Sequence, residues 1–245
     1  MKKIVLAAAA VLCLNVGADE LYKKFQPKQT SRTRENIEWS RTYTYNARDL
    51  KNPRFMMIGD SICNAYAGSV RSRLGRKANA SFWATSKCVT DKDYFRELDF
   101  ILSGYKCDVI TFNNGLHSLG TNLKEWENAY RQAVKFIKAK CPDSKLFIVL
   151  STPLKAPKKT KRAIELNAIC KKIALEEKVP VIDLFTPMDK LDRNKFWRDT
   201  YHFQRPAVNM QADILAKNIL SAIGSKAKKS IVQKGSETGP SGKIK

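Results

Sequence analysis

A serine at the end of an apolar run, in a chain with only two histidines, marks where covalent chemistry could occur. Ser61 closes the stretch Phe55-Met56-Met57-Ile58-Gly59-Asp60-Ser61. His117 lies in Gly115-Leu116-His117-Ser118, after the apolar run Val109-Ile110-Thr111-Phe112, and His202 ends Asp199-Thr200-Tyr201-His202. A serine hydroxyl is a poor nucleophile until an imidazole removes its proton, and the imidazole works best when a carboxylate orients it. Asp199 stands three residues before His202, so the two can share a turn. The carboxylate would hold one ring nitrogen and leave the other for a serine. The plainer alternative is that Asp199 caps a helix and His202 is a surface residue.

Such groups need a frame. Phe55–Ile58, Val109–Phe112, Leu146–Leu150 and Val179–Phe185 are short apolar runs and read as strands. Between them, Ala65–Leu74 reads as a helix, and Leu123, Trp126, Tyr130, Val134 and Ile137 recur at helical spacing until Pro142. Ile164, Ile169, Ile173 and Ala174 mark another helix, and a last one runs from Pro206 to Ile223 with proline in its first turn. Strands alternating with helices predict a parallel sheet covered on both faces, with reactive groups at the carboxyl ends of its strands. Ser61 and His117 each follow a strand and are expected on one rim.

The chain ends differ in composition from this central part. Residues 1–18 read as a secretory signal, with basic Lys2 and Lys3, an apolar stretch from Ile4 to Leu14 and a small-residue site before Asp19. The expected location is secreted or periplasmic. No stretch is long enough for a transmembrane segment. Residues 19–52 form a polar N-terminal arm with Trp39, Tyr43 and Tyr45 as anchors. Residues 224–245 read as a basic disordered tail, rich in Lys, Ser and Gly.

Losing Lys2 and Lys3 with the signal lowers the formal charge from +22 to +20. Such a charge attracts polyanions. No zinc-finger spacing, aromatic RNA-binding motif or recognition helix accompanies it, so no specific nucleic-acid partner is expected. A solvated basic surface is the simplest reading and an acidic polysaccharide the alternative. Cys63, Cys88, Cys107, Cys141 and Cys170 remain after the signal, none in C-x-x-C spacing, so no metal site is expected. They read as small buried side chains. One disulfide is open to them, and their odd number leaves at least one thiol free.

Met57-Ile58-Gly59-Asp60-Ser61-Ile62 and Asp199-Thr200-Tyr201-His202, with Gly-Leu-His between them, resemble the conserved blocks of the SGNH (GDSL-type) hydrolases over about residues 53–223. No G-x-S-x-G elbow of the ordinary α/β-hydrolases is present. The resemblance implies a three-layer α/β/α sandwich around a central parallel sheet, flavodoxin-like, occupying residues 53–223. It also implies a triad: Ser61 attacks an ester carbonyl, His202 is base and then acid, and Asp199 orients it. Asp60 is then a structural hydrogen-bonder beside the nucleophile. The third block departs from the usual Gly-x-Asn-Asp. Here Asn113 and Asn114 precede Gly115-Leu116-His117, an arrangement similar to a bacterial subgroup with an N-x-G-L-H block. Ser61, through its backbone N–H, Asn113 and His117 are the oxyanion-hole candidates. No glycine marks a second block, and Thr85-Ser86-Lys87-Cys88 occupies its place.

The resemblance further implies a serine esterase needing no metal or organic cofactor. It would act on a small acylated substrate or an acylated polysaccharide, most often by removing acetyl groups. Lipid ester hydrolysis or acyl transfer by the same triad, or an idle domain that binds acidic polymers, are the rivals. Lys190–Arg198 contains Phe196 and Trp197 but is otherwise charged, which argues against an apolar lid for long acyl chains.

Overall fold

The computed structural model describes residues 18–28 and 30–237, and side chains for 21–28 and 30–224, so the expected signal lies almost wholly outside the described residues. In chain order the elements are β1 (Ser40–Thr44), β2 (Arg54–Gly59), α1 (Ser61–Leu74), β3 (Asn79–Thr85), α2 (Lys92–Gly104), β4 (Val109–Phe112), α3 (Leu123–Lys140) and β5 (Lys145–Val149). They continue with α4 (Pro157–Glu176), β6 (Val181–Ile182), α5 (Phe185–Asp189), α6 (Arg193–Phe196) and α7 (Arg205–Glu237).

The strands form one six-stranded sheet in the order β1-β3-β2-β4-β5-β6. All neighbours are parallel except β1, which runs antiparallel to β3. Without β1, the order counted from β2 is 2-1-3-4-5, the flavodoxin-like winding. Its topological switch lies between β2 and β4, where a crevice opens at the strand ends. Successive residues of a strand face opposite sides, so a strand covered on both sides must be apolar throughout. Phe55 and Met57 of β2 accordingly join one core with α1 and α7, while Met56 and Ile58 join a second with α2, α3 and α4. This is the expected three-layer sandwich, with an antiparallel edge strand added from the N-terminal arm.

Several elements differ from expectation. β3 was not anticipated, because Asn79-Ala80-Ser81-Phe82 is no continuous apolar run like those of β2 and β4, yet the whole strand is buried. In α4 Ile164, expected on the inward face, is exposed, while Ala163, Leu166, Asn167, Cys170 and Ile173 turn inward. The last strand shrinks to Val181–Ile182, because Leu184 already begins the turn into α5. Helix α7 runs on to Glu237, where a disordered tail was expected from residue 224. No proline interrupts the Lys- and Ser-rich sequence between residue 224 and Pro240, so nothing forces the backbone to stop. All five described cysteines are free thiols.

Candidate active site

Strand register brings the site together. Ile58 of β2 pairs with Phe112 of β4, and the Asn113 N–H donates to the Ile58 carbonyl at 2.9 Å, so the two strand ends leave the sheet side by side. Gly59 allows the tight exit: a side-chain carbon there would lie 2.6 Å from Cβ of Cys63. Asp60 is the N-cap of α1, its Oδ1 accepting the Ile62 N–H at 2.9 Å, a structural hydrogen bond beside Ser61. Ser61 is the first residue of the helix, where the backbone N–H groups have no intrahelical acceptor and carry partial positive charge.

His202 comes from the other end of the chain. Its Nε2 lies 2.8 Å from Ser61 Oγ, and its Nδ1 lies 2.8 and 2.9 Å from the two Asp199 carboxylate oxygens. Asp199 does not cap a regular helix. Its Oδ1 accepts the backbone N–H groups of Tyr201 and His202 at 2.9 and 2.8 Å, closing a tight turn. Burial alone would push the Asp199 carboxyl up, but these N–H groups and the His202 ring hold it well below the ordinary carboxylate range. The stems of the turn are pinned by Trp197 and Phe203, buried and paired as a β-bridge with ring centroids 4.4 Å apart. Trp197 Nε1 also donates to the Pro153 carbonyl at 3.3 Å. Trp197 is thus core, and Phe196 is packed against it, so neither forms a lid.

Ser61, Leu116, His117, Tyr201 and His202 line a cleft of about 540 Å³, and its far wall is Glu35 and Trp39 from the N-terminal arm. His117 Nδ1 is 2.5 Å from Glu35 Oε1. Because a carboxylate only accepts, the ring hydrogen sits on Nδ1, and Nε2 is an acceptor unless the ring carries both protons. Asn113, expected as an oxyanion-hole donor, lies at the end of β4. Its amide donates to the Val149 carbonyl at 2.7 Å and to Ser151 Oγ at 3.1 Å, which uses both hydrogens to tie β4 to the end of β5. Asn114 is likewise committed, accepting from the Val89 N–H at 2.9 Å and donating to the Lys87 carbonyl at 2.8 Å. The segment Thr85–Cys88 is held beneath the arm and contributes no side chain to the cleft wall.

The arm residues Glu35 and Trp39 carry no sequence signal of a site. What fixes them is Arg32, whose guanidinium is buried and bonded to Asp91 at 2.6 Å, Glu38 at 2.9 Å and the Ser86 carbonyl at 3.1 Å. The Trp39 backbone is clamped by Ser86, its N–H donating to Ser86 Oγ at 2.8 Å and its carbonyl accepting the Ser86 N–H at 3.1 Å.

No protein-family model and no curated protein sequence matches the chain. Solved structures do. A GDSL-like lipase from Bacteroides thetaiotaomicron is 15% identical with a TM-score of 0.55, over 71% of this chain and 88% of that one. An acetylxylan esterase from Geobacillus stearothermophilus is 16% identical with a TM-score of 0.57, over 70% and 94%. Catalytic mutants of that esterase, one at a serine and one at a histidine, match equally well. An alpha/beta hydrolase enzyme from the metagenome of Lake Arreo, Spain, is 14% identical with a TM-score of 0.57, over 70% and 95%. The fold is therefore that of the GDSL-like, or SGNH, hydrolases.

Proposed function

We propose that the protein is an SGNH-type serine esterase, exported by its N-terminal segment, that removes acetyl or other short acyl groups from a carbohydrate. The observation carrying this reading is the unbroken line Asp199–His202–Ser61 opening onto a cleft, on a fold shared with esterases. Ser61 Oγ adds to the ester carbonyl carbon as its proton passes to His202 Nε2, and Asp199 steadies the resulting imidazolium through Nδ1–H. The negative oxygen that develops faces the Ser61 N–H at the positive end of α1, and His117, with both ring protons present and Nδ1–H paired to Glu35, supplies a second donor from Nε2. Collapse breaks the ester bond, and His202 returns its proton to the departing alcohol. Water, activated by the same imidazole, then releases the acid and restores Ser61.

Two features support the substrate class. Trp39 and Tyr201 offer aromatic surface on the cleft wall, suited to the apolar face of a sugar ring. Trp197, buried at 2% exposure, supplies no apolar cover for a long acyl chain. The test is hydrolysis of a chromogenic acetyl ester by the wild-type chain and by Ser61→Ala, followed by a panel of acetylated glycans. Activity that falls more than about a thousand-fold in Ser61→Ala is expected, because triad members act as one unit. Wild-type inactivity on every ester would overturn the reading, and a variant retaining a tenth of the rate would overturn the nucleophile.

A further inference from the structure

Beside the catalytic cleft lies a second depression of about 540 Å³, and Tyr201 belongs to the walls of both. Its remaining wall is dominated by the first turns of α4, with Lys158, Lys159, Lys161 and Arg162, and a single acidic side chain, Glu165. That carboxylate is already answered: Arg162 donates to it at 2.9 Å and is itself fixed by the carbonyls of Leu119, at 3.2 Å, and Thr121. Lys158, Lys159 and Lys161 are exposed, and no carboxylate among the described residues forms an ion pair with them. Their place in the helix is also unfavourable for the chain alone. The start of a helix carries partial positive charge and favours acidic side chains, yet the first turn of α4 has none, and its N-cap Ala156 makes no side-chain capping bond. Cations stacked on a positive helix end repel one another until an anion arrives.

We infer that this groove is a subsite for an acidic polysaccharide. A carboxylate-bearing stretch of the glycan lies along Lys158, Lys159 and Lys161 and crosses Tyr201, so that an acylated hydroxyl on the same chain reaches Ser61. The ester part of this inference rests on the esterase reading; the anion part rests on the groove alone. A glycan is favoured over a polynucleotide because the groove shares a wall with a site suited to acyl esters, which a polynucleotide backbone lacks.

The experiment is titration calorimetry of the full chain with an oligogalacturonate and with a neutral xylo-oligosaccharide of equal length. It is repeated with Lys158→Gln/Lys159→Gln/Lys161→Gln and with Lys51→Gln/Lys77→Gln/Lys145→Gln. The second triple carries the same charge change at the amino ends of β2, β3 and β5, the opposite rim of the sheet. The acidic oligomer should bind at least about ten-fold more tightly than the neutral one, lose about ten-fold or more in the groove variant and less than about two-fold in the other, and weaken with added salt. Equal losses in the two variants, or no preference for the acidic oligomer, would overturn the subsite. So would a single-stranded oligonucleotide of equal charge that binds the groove more tightly. On acetylated versions of both oligomers, the ratio of kcat/KM for acidic over neutral should fall about ten-fold in the groove variant, and an unchanged ratio would also count against it. If no ester is hydrolysed, the esterase reading fails by itself and the calorimetry still decides the groove.

Discussion

His202 Nε2 and Ser61 Oγ stand 2.8 Å apart although 141 residues separate them in sequence. Each is anchored independently. Ser61 is carried on the end of β2 and the start of α1, whereas His202 hangs on a turn whose stems are held by Trp197 and Phe203. This distance is thus set by core packing on one side and sheet geometry on the other.

Asp199→Asn should separate orientation from stability. At neutral pH the amide presents the wrong partner to Nδ1, and kcat should fall by about 10³- to 10⁴-fold. The Asp199 carboxyl is held below its ordinary value in the folded chain, so its contribution to stability is complete above the unfolded value of about 3.9. That contribution is lost as pH falls from there through the folded value. Urea titrations should show the stability gap between wild type and Asp199→Asn closing on acidification, and a gap equal at pH 7 and pH 2 would exclude the assigned bonds.

Trp197→Ala should cost about 3–5 kcal/mol, because a fully buried indole leaves a cavity in the core beside Phe203. Phe203→Ala removes its ring partner, and the double variant should cost less than the sum of the two, since the rings touch each other. Urea unfolding followed by far-UV circular dichroism measures this. The folded Trp197→Ala protein should also hydrolyse esters more slowly, because the His202 turn loses its stem. Full activity would show that the turn is self-sufficient.

Glu35 and His117 make a second prediction about charge. His117 can donate from Nε2 only as an ion pair with Glu35, so Glu35→Gln keeps an acceptor but loses the pairing charge. His117→Ala should lower kcat by about 10²- to 10³-fold, the usual cost of one oxyanion donor. Glu35→Gln should lower kcat at least ten-fold, with KM much less affected. An unchanged kcat in Glu35→Gln, with only the melting temperature lowered, would leave the pair a structural clamp for the arm.

The thiols should be silent in the folded chain. Burial pushes Cys63, Cys107 and Cys170 up to about 12. Their folded values lie above the ordinary value of about 8.5, so the stability they contribute is complete below it and is lost as pH rises toward 12. Alkylation at pH 8 followed by mass spectrometry should modify the half-buried Cys141 alone among the five described thiols, and all five in urea. Equal labelling of Cys63 in both states would contradict its packing against Gly59.

Much of this frame was legible in sequence because it repeats locally. The apolar runs at Phe55 and Val109 and the helical spacing of Trp126, Tyr130 and Val134 depend on neighbours a few residues away, and the structure has strands and a helix there. Strand β3 was opaque because sheet pairing and cover on both faces, not alternation, bury its Asn79 and Ser81. The arm was opaque for another reason. Arg32 finds Asp91 across 59 residues and Glu35 finds His117 across 82, and a charge pattern cannot announce partners so distant. The bonds of Asn113 were opaque too, because a position that suits a donor does not show that its two hydrogens serve Val149 at the end of β5 and Ser151 just beyond it.

The two margins of the sheet have a consequence for the protein at high concentration. An open sheet offers its outermost backbone groups to any extended chain that drifts past. Here one margin is β1, short and carrying Arg41 and polar Ser40 and Thr42, and the other is β6, two residues long and preceded by Pro180. A proline has no N–H to give, and a two-residue strand cannot template a third partner. Lateral recruitment, the step from which ordered aggregates grow, therefore finds almost no foothold on either side.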